Sequence, residues 1–211
     1  METQDGDAPP RAYTAFAGEM LLSRGPAETV ALAAKAARDA DPQAAILIFD
    51  DRTGRSEDFD LSGTPEQIAG RLRAIPAIHA RQRLGLANPP ASASGKGGRG
   101  RPKLGVVGRE VTLLPRHWDW LAEQPGGASA ALRRLVEEAR KTRRGEDAAR
   151  RRREAAYGFM SAMAGDRPGF EEAARSLFAG DMDGLSARIA GWPADVRDHV
   201  MTLAVGEPRP A

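Results

Sequence analysis

Residues 44–54 are AAILIFDDRTG, and they decide the fold of the first third of the chain. The first six residues form a continuous apolar run, which is the pattern of a short buried strand. The polar residues DRTG at 51–54 follow as a turn. A strand this short is stable only beside other strands and under a covering helix, so the flanking segments must supply both.

The flanking segments predict a small α+β domain. Short strands surround a turn at Gly18, Pro26 precedes an Ala-rich helix, and Thr64-Pro65 has the residue types of a helix start. In order, the predicted elements are strands at 13–16 and 19–22, a helix at 29–38, the strand at 44–49, an edge strand at 56–61 and a helix at 64–74. Residues 11–75 therefore have the predicted order β-β-α-β-β-α.

The rest of the chain changes character at a stretch rich in Gly, Pro and Ser, which is typical of a flexible linker. The predicted divisions are a tail at 1–10, the α+β domain at 11–75, a basic linker at 76–107, a strand-helix-helix unit at 109–145, a helical region at 146–204 and a tail at 205–211. The fold class is α+β, with residues 11–75 and 109–204 expected to form separate bodies.

Composition limits the classes of function. The 211 residues include no cysteine, so disulfides and cysteine-based zinc sites or catalysis are excluded. The N-terminus lacks the pattern of an export signal, and no apolar stretch reaches the about 18 residues of a membrane helix. The three histidines lie far apart, and no phosphate-binding or nucleophile motif accompanies them. We expect a soluble cytoplasmic protein without enzymatic activity, cofactor or membrane partner.

Charge is strongly segregated along the chain. Residues 81–153 carry 18 Lys and Arg against 7 Asp and Glu, a surplus of +11. Residues 1–80 have 8 against 13, and residues 154–211 have 5 against 9, so both flanks are acidic. A concentrated basic segment favours binding to a polyanion such as DNA, although a solvated linker and helix face would show the same surplus.

The linker contains Arg99-Gly100-Arg101-Pro102-Lys103, which resembles the core of an AT-hook. The resemblance implies that Arg99 and Arg101 enter an A·T-rich minor groove, with Lys103 beside it. Narrow A·T grooves concentrate negative potential, glycine permits close approach and proline favours an extended backbone. A basic linker without ordered contacts remains the alternative.

The strand, helix and helix predicted over 109–141 resemble a ribbon-helix-helix domain, most closely in the second helix, GASAALRRLVEEAR at 127–140. The resemblance implies a homodimer whose paired strands enter the major groove, with Arg109 and Thr112 as readers. It also implies a phosphate contact at Ser129, the predicted N-cap of the second helix. Arg133 and Arg134 add basic contacts. The strand departs from the family because its apolar residues would place at least one apolar side chain against DNA.

Five carboxylates lie in or beside the hairpin around the turn at 51–54, and they are Asp50, Asp51, Glu57, Asp58 and Asp60. Clustered carboxylates can bind a divalent cation. An acidic hairpin tip in solvent explains the same residues, and we therefore predict no metal site.

Nearly the whole chain after residue 11 resembles the uncharacterised bacterial family DUF2239. The resemblance is carried by eight stretches: IFDDRTG at 48–54, DFDLSG at 58–63, GRPKLG at 100–105, VTLLPRHWDWL at 111–121, QPGGAS at 124–129, YGFMSAM at 157–163, GFEE at 169–172 and WPADVRDH at 192–199. It implies a shared fold and no particular activity.

The residues favour a DNA-binding protein, regulatory or architectural, anchored electrostatically by Arg99, Arg101, Lys103, Arg109, Arg133 and Arg134. The alternative is a protein-interaction adaptor in which the 109–141 unit only dimerises. In the adaptor, Arg133 and Arg134 would pair with Glu137 and Glu138 on their own helix. In the DNA-binding protein, they would lie on an exposed basic face.

Overall fold

The computed structural model describes residues 11–73 and 110–206 and confirms the α+β class. The strands are β1 Tyr13–Ala17, β2 Met20–Gly25, β3 Ile46–Asp50 and β4 Arg55–Ser56, and the helices are α1 Ala27–Ala40, α2 at 65–73, α3 Pro115–Ala122, α4 Gly127–Ala164, α5 Phe170–Ala179, α6 Met182–Arg188 and α7 Ala194–Val205. The chain forms two compact units. The first is Met1–Arg73 with Gly145–Ala211, and the second is Ala74–Arg144.

The first unit contains an antiparallel sheet with strand order β2-β1-β3-β4. β1 and β2 form the predicted hairpin, and its turn places Gly18 at a φ of 56°, which glycine adopts without strain. The Gly18 N–H donates to the Ala45 carbonyl, which fixes the approach to β3. α1 begins after Pro26, with Glu28 in its first turn and Arg38 in its last, as the helix dipole favours.

The two faces of the sheet pack against different helices. Residues opposite each other on paired strands share a face, so Ala15 lies with Ile48, whereas Phe16 and Phe49 point to the other side. α1 covers the Ala15 face with its buried side chains Val30, Ala31 and Ala34. The sheet is therefore the middle layer of the first unit.

The Phe16 face forms a joint core with the C-terminal helices. The ring of Phe159 in α4 lies 4.8 Å from that of Phe49 and 5.3 Å from that of Phe16, measured between centroids. The other core residues are Ala156, Met160, Ala164, Ala173, Leu177, Leu185, Ile189, Trp192, Val196, Val200, Leu203 and Ala204. The sequence placed the sheet and these helices in separate bodies, but the structure combines them, because both faces of the sheet carry apolar side chains that must be covered.

The turn after β3 approaches α4 very closely. Gly54 has a φ of 65°, and a Cβ at this position would collide with the carbonyl oxygen of Ala155. A Cβ on Gly158 would lie 3.2 Å from the carbonyl oxygens of Thr53 and Gly54. Glycine on both sides of the contact lets the turn and the helix backbone meet.

Two predicted strands differ in the structure. The edge strand expected at 56–61 is reduced to β4, and Phe59 and Leu61 are buried without joining the ladder. The strand expected at the start of the 109–145 unit is not formed: residues 110–114 have no regular secondary structure and take no part in the sheet of the described residues. The segment at 143–153 is continuous helix within α4, so the predicted division at 145/146 falls inside one helix.

Candidate nucleic-acid interface

Four exposed cations share one side of α4 within the second unit: Arg133, Arg134, Lys141 and Arg144. An α-helix turns about 100° per residue, which places these four side chains within an arc of about 100°. We call them the basic face. Residues 133 to 144 span about 16 Å along the helix axis at 1.5 Å per residue.

The four cations of the basic face have no ion pair among the described residues, in contrast to Arg140 beside them. Arg140, on the same helix, pairs with Glu137 at 3.1 Å. Within the described ranges, no carboxylate lies in salt-bridge distance of Arg133 or Arg134, or of Lys141 and Arg144. The pairing of Arg133 and Arg134 with Glu137 and Glu138 that the adaptor hypothesis requires is therefore absent from this part of the chain.

The other predicted nucleic-acid residues have different outcomes. Thr112 is exposed in the segment before α3. Ser129 is exposed but is not an N-cap, because α4 begins two residues earlier at Gly127. Gly126 and Gly127 have φ of 83° and 73°, and they lead the chain into the helix before Ser129 is reached. Residues 99, 101, 103 and 109, with the AT-hook-like core, lie outside the described residues.

Asp50 and Asp51, at the end of β3, point to opposite faces of the sheet. Asp50 is 1% exposed, accepts the Arg52 N–H at 2.8 Å and pairs with Arg11 at 3.4 Å. It lies opposite Tyr13 and so on the α1 face of the sheet, whereas Asp51 contacts Thr14 on the other face. In the described ranges, no three His, Asp or Glu side chains are grouped as metal ligands.

Asp51 belongs to a polar cluster with Thr14, Arg24 and His199, in which Thr14 and His199 are buried and Arg24 is exposed. The Thr14 hydroxyl donates to Asp51 at 2.7 Å, and Arg24 Nε donates at 3.2 Å. His199 Nε2 lies 3.5 Å from Asp51 Oδ1, and its ring packs edge-on against Phe159 with centroids 4.5 Å apart. This cluster connects β1, β2 and the β3 turn with α7, across the shared core of the first unit.

Burial dominates the electrostatics of this cluster. It raises the pKa of Asp51, while the Thr14 hydroxyl and Arg24 oppose that rise. Burial, with a smaller contribution from Arg24, lowers the pKa of His199 to about 4. His199 is therefore neutral near pH 7, and its 3.5 Å contact with Asp51 is not an ion pair.

The cluster is suited to holding the fold rather than to nucleophilic catalysis. A hydroxyl nucleophile needs a base as hydrogen-bond acceptor, with a third group orienting that base. Here the Thr14 hydroxyl donates directly to the carboxylate of Asp51, and the imidazole of His199 does not lie between them. The sequence did not reveal this cluster because its members are as much as 185 positions apart and no local spacing relates them.

Comparison with known proteins assigns the chain to a family for which no activity is described. The family model described as "Uncharacterized protein conserved in bacteria (DUF2239)" matches residues 12–204. No curated protein and no solved structure matches the chain. Among the helices of the described ranges, none has the length and apolar character to cross a membrane.

Proposed function

We propose that this chain, which belongs to the DUF2239 family of bacterial proteins, binds double-stranded DNA through the basic face of α4. The observation that carries the proposal is the set of four exposed cations, Arg133, Arg134, Lys141 and Arg144, none of which has a carboxylate in salt-bridge distance among the described residues. Glu137 lies on the same side of the helix, and its carboxylate pairs with Arg140. The proposal assigns no enzymatic activity to the chain and places the protein in the cytoplasm with the DNA.

The absence of ion pairs lowers the free-energy cost of a contact between these cations and a DNA phosphate. A cation that is already paired must give up its carboxylate before it binds a phosphate, whereas an unpaired one displaces only water. Lys141 and Arg144, three residues apart, also repel each other by a few tenths of a kcal/mol in the free protein. A polyanion removes this repulsion, and the bound DNA releases its condensed counterions.

Phosphate contacts would supply most of the affinity in this proposal. B-DNA carries one charge per about 1.7 Å of its axis, so a face about 16 Å long meets several phosphates. Ser129 and the free N–H groups in the first turn of α4 add a further phosphate contact. Arg109 and Thr112 are proposed as base readers, and Arg99, Arg101 and Lys103 as a minor-groove arm.

A salt titration of duplex binding tests the basic face. For Arg133→Gln with Arg134→Gln, the slope of log K against log salt should become less negative by about 1.8, since each phosphate contact contributes about −0.9. Arg140→Gln is the matched control on the same helix, and its pairing with Glu137 predicts a smaller change. Equal slopes for the wild type and the double variant, or no binding at low ionic strength, would contradict the proposal.

The same assay separates the minor-groove arm from the basic face. Arg99→Ala with Arg101→Ala should weaken binding to A·T-rich duplexes more than to G·C-rich ones if the arm enters a narrow groove. An equal loss on both duplexes would reduce residues 99–103 to a non-specific basic segment and leave the basic face as the main contact.

A protein-interaction adaptor is the second candidate, and exposed apolar side chains favour it. Trp118 and Trp120 of α3 and Val136 of α4 are all exposed, which is typical of surfaces that contact another protein. The adaptor predicts no affinity for any duplex at low ionic strength. It also predicts that Arg133→Gln leaves partner binding unchanged.

A further inference from the structure

We infer, building on the proposed binding of DNA, that the basic face of α4 lies in the major groove and that Glu137 reads cytosine there as a specificity-determining residue. Glu137 is exposed and lies in the middle of the basic face. At about 100° per residue, Arg133 lies about 40° to one side of it, and Lys141 and Arg134 lie about 40° and 60° to the other. Its carboxylate therefore faces the same partner as the four cations.

A carboxylate in this position is unfavourable if the face binds only phosphates. Like charges placed opposite each other at an interface repel, so a negative charge turned toward a polyanion weakens binding. The base edges in the major groove, however, include hydrogen-bond donors, and a carboxylate accepts hydrogen bonds from such donors. Glu137 contributes favourably to DNA binding when its carboxylate reaches a base edge.

The dimensions of the helix and of the groove allow this contact. An α-helix with its side chains is about 10–12 Å across, and the major groove is about 12 Å wide and 8.5 Å deep. The middle of an inserted helix face is nearest to the base edges, whereas its flanks face the phosphates of the two groove walls. On α4 the shorter glutamate is in the middle, and the longer side chains of Arg133 on one flank and Arg134 on the other extend toward the walls.

The ion pair of Glu137 uses only one of its two carboxylate oxygens. Arg140 Nη1 donates to Glu137 Oε2 at 3.1 Å, and no donor of the described residues is bonded to Oε1. Arg140 reduces the negative charge that the DNA meets and holds the carboxylate in place, so it is a positioning residue. Oε1 is then available to accept a hydrogen bond from a base.

Cytosine is the base that suits a carboxylate best. Its major-groove edge presents the N4 amino group as a donor and no acceptor. Adenine presents its N6 amino group beside the acceptor N7, which would repel the second carboxylate oxygen, whereas guanine and thymine present acceptors. Because the contact is made from a helix, it does not require the predicted ribbon, whose strand is not formed within residues 110–114.

Selection of duplexes from a random-sequence library by the full chain, followed by sequencing, tests this contact. The wild type should enrich duplexes with cytosine at one position of the aligned sequences. Replacing that cytosine by thymine should weaken binding by about fivefold or more, the lower end of the cost of one mismatched base pair. In Glu137→Gln the preference at this position should change from cytosine to adenine, because a glutamine amide bonds to both N6 and N7 of adenine.

Glu138→Gln is the matched control. Glu138 is also an exposed residue of α4, but it lies about 100° around the helix from Glu137 and outside the basic face. Both substitutions remove one negative charge, so both should strengthen binding to duplexes of any sequence. Only Glu137→Gln should change the base preference, and a purely electrostatic role of Glu137 predicts no such change.

Two kinds of failure are distinct in this experiment. A wild-type pool without an enriched cytosine, or an unchanged preference in Glu137→Gln, would overturn the role of Glu137 and leave the salt-dependent binding of the basic face intact. A wild type that binds no duplex at low ionic strength would overturn the proposed DNA binding itself, and the cytosine contact with it.

Discussion

Replacing Phe159 by alanine would remove the ring that joins the N-terminal sheet to the C-terminal helices. Phe159 is fully buried, and its ring contacts those of Phe16, Phe49 and His199 at centroid distances of 4.5–5.3 Å. Truncating a buried phenylalanine costs about 3–5 kcal/mol through lost transfer energy and the cavity left behind. Contacts with two other aromatic rings place the expected loss near the middle of that range, about 4 kcal/mol.

Hydrogen exchange read by mass spectrometry distinguishes a shared core from two separate ones. A loss of about 4 kcal/mol corresponds to roughly a thousandfold faster exchange of amides that open only by global unfolding. In Phe159→Ala, the protected amides of β1 and β3 should accelerate together with those of α5 and α7, because they belong to one cooperative unit. Urea unfolding should show the same loss as a lower midpoint.

Phe178→Ala is the control for this experiment. Phe178 also contacts an aromatic ring, that of Tyr157 at 5.3 Å, but it is 51% exposed and lies outside the core. Its truncation should cost no more than about 1 kcal/mol. The argument fails if β1 and β3 keep wild-type protection in Phe159→Ala while α5 and α7 lose theirs, since that result would place sheet and helices in separate cores.

Two further predictions concern α4 and the buried histidine. In urea unfolding, Gly158→Ala should destabilise the protein by about 1 kcal/mol, because the new Cβ meets carbonyl oxygens at 3.2 Å. Gly145→Ala meets no neighbouring atom and should stabilise the protein by about 0.8–1 kcal/mol. Equal effects of the two substitutions on the free energy of unfolding would argue against the close approach. The lowered pKa of His199, about 4 against 6.5, means that the unfolded chain binds a proton first, so up to about 3 kcal/mol of stability should be lost as pH falls from 6.5 to 4. The raised pKa of Asp51 acts in the opposite direction and should reduce this loss at the acid end. His199→Gln should flatten the dependence of unfolding free energy on pH, and the same flattening in the exposed control His117→Gln would contradict this assignment.

Local patterns predicted the elements of the sheet well. The hairpin around Gly18, the helix after Pro26 and the strand before Asp50 all lie close to their predicted positions. Each depends on neighbouring residues: a turn residue, a helix start or a short apolar run. The edge strand at 56–61 was less predictable, because burial of Phe59 does not require a ladder and the alternation of residues cannot distinguish the two.

The candidate DNA-binding face could be predicted only in part from the sequence. The helical spacing of Arg133, Arg134 and Lys141 already predicts a shared side of a helix. Arg133 lies four residues before Glu137, and Arg140 lies three residues after it. Both spacings allow an ion pair on a helix, so the sequence does not decide which arginine pairs with Glu137. The structure pairs Glu137 with Arg140 and leaves Arg133 unpaired.

The amino-acid sequence by itself determined the α+β class, the family, the basic middle segment and the first strands and helices, because these depend on composition and on residues within a few positions of each other. Only the tertiary structure decided that Phe16 and Phe49 share a core with Phe159, and that Thr14 and Asp51 lie beside His199. Contacts between residues more than a hundred positions apart depend on which apolar faces pack against each other and so exclude water. No local pattern records that choice, because every apolar face can in principle be covered by any other.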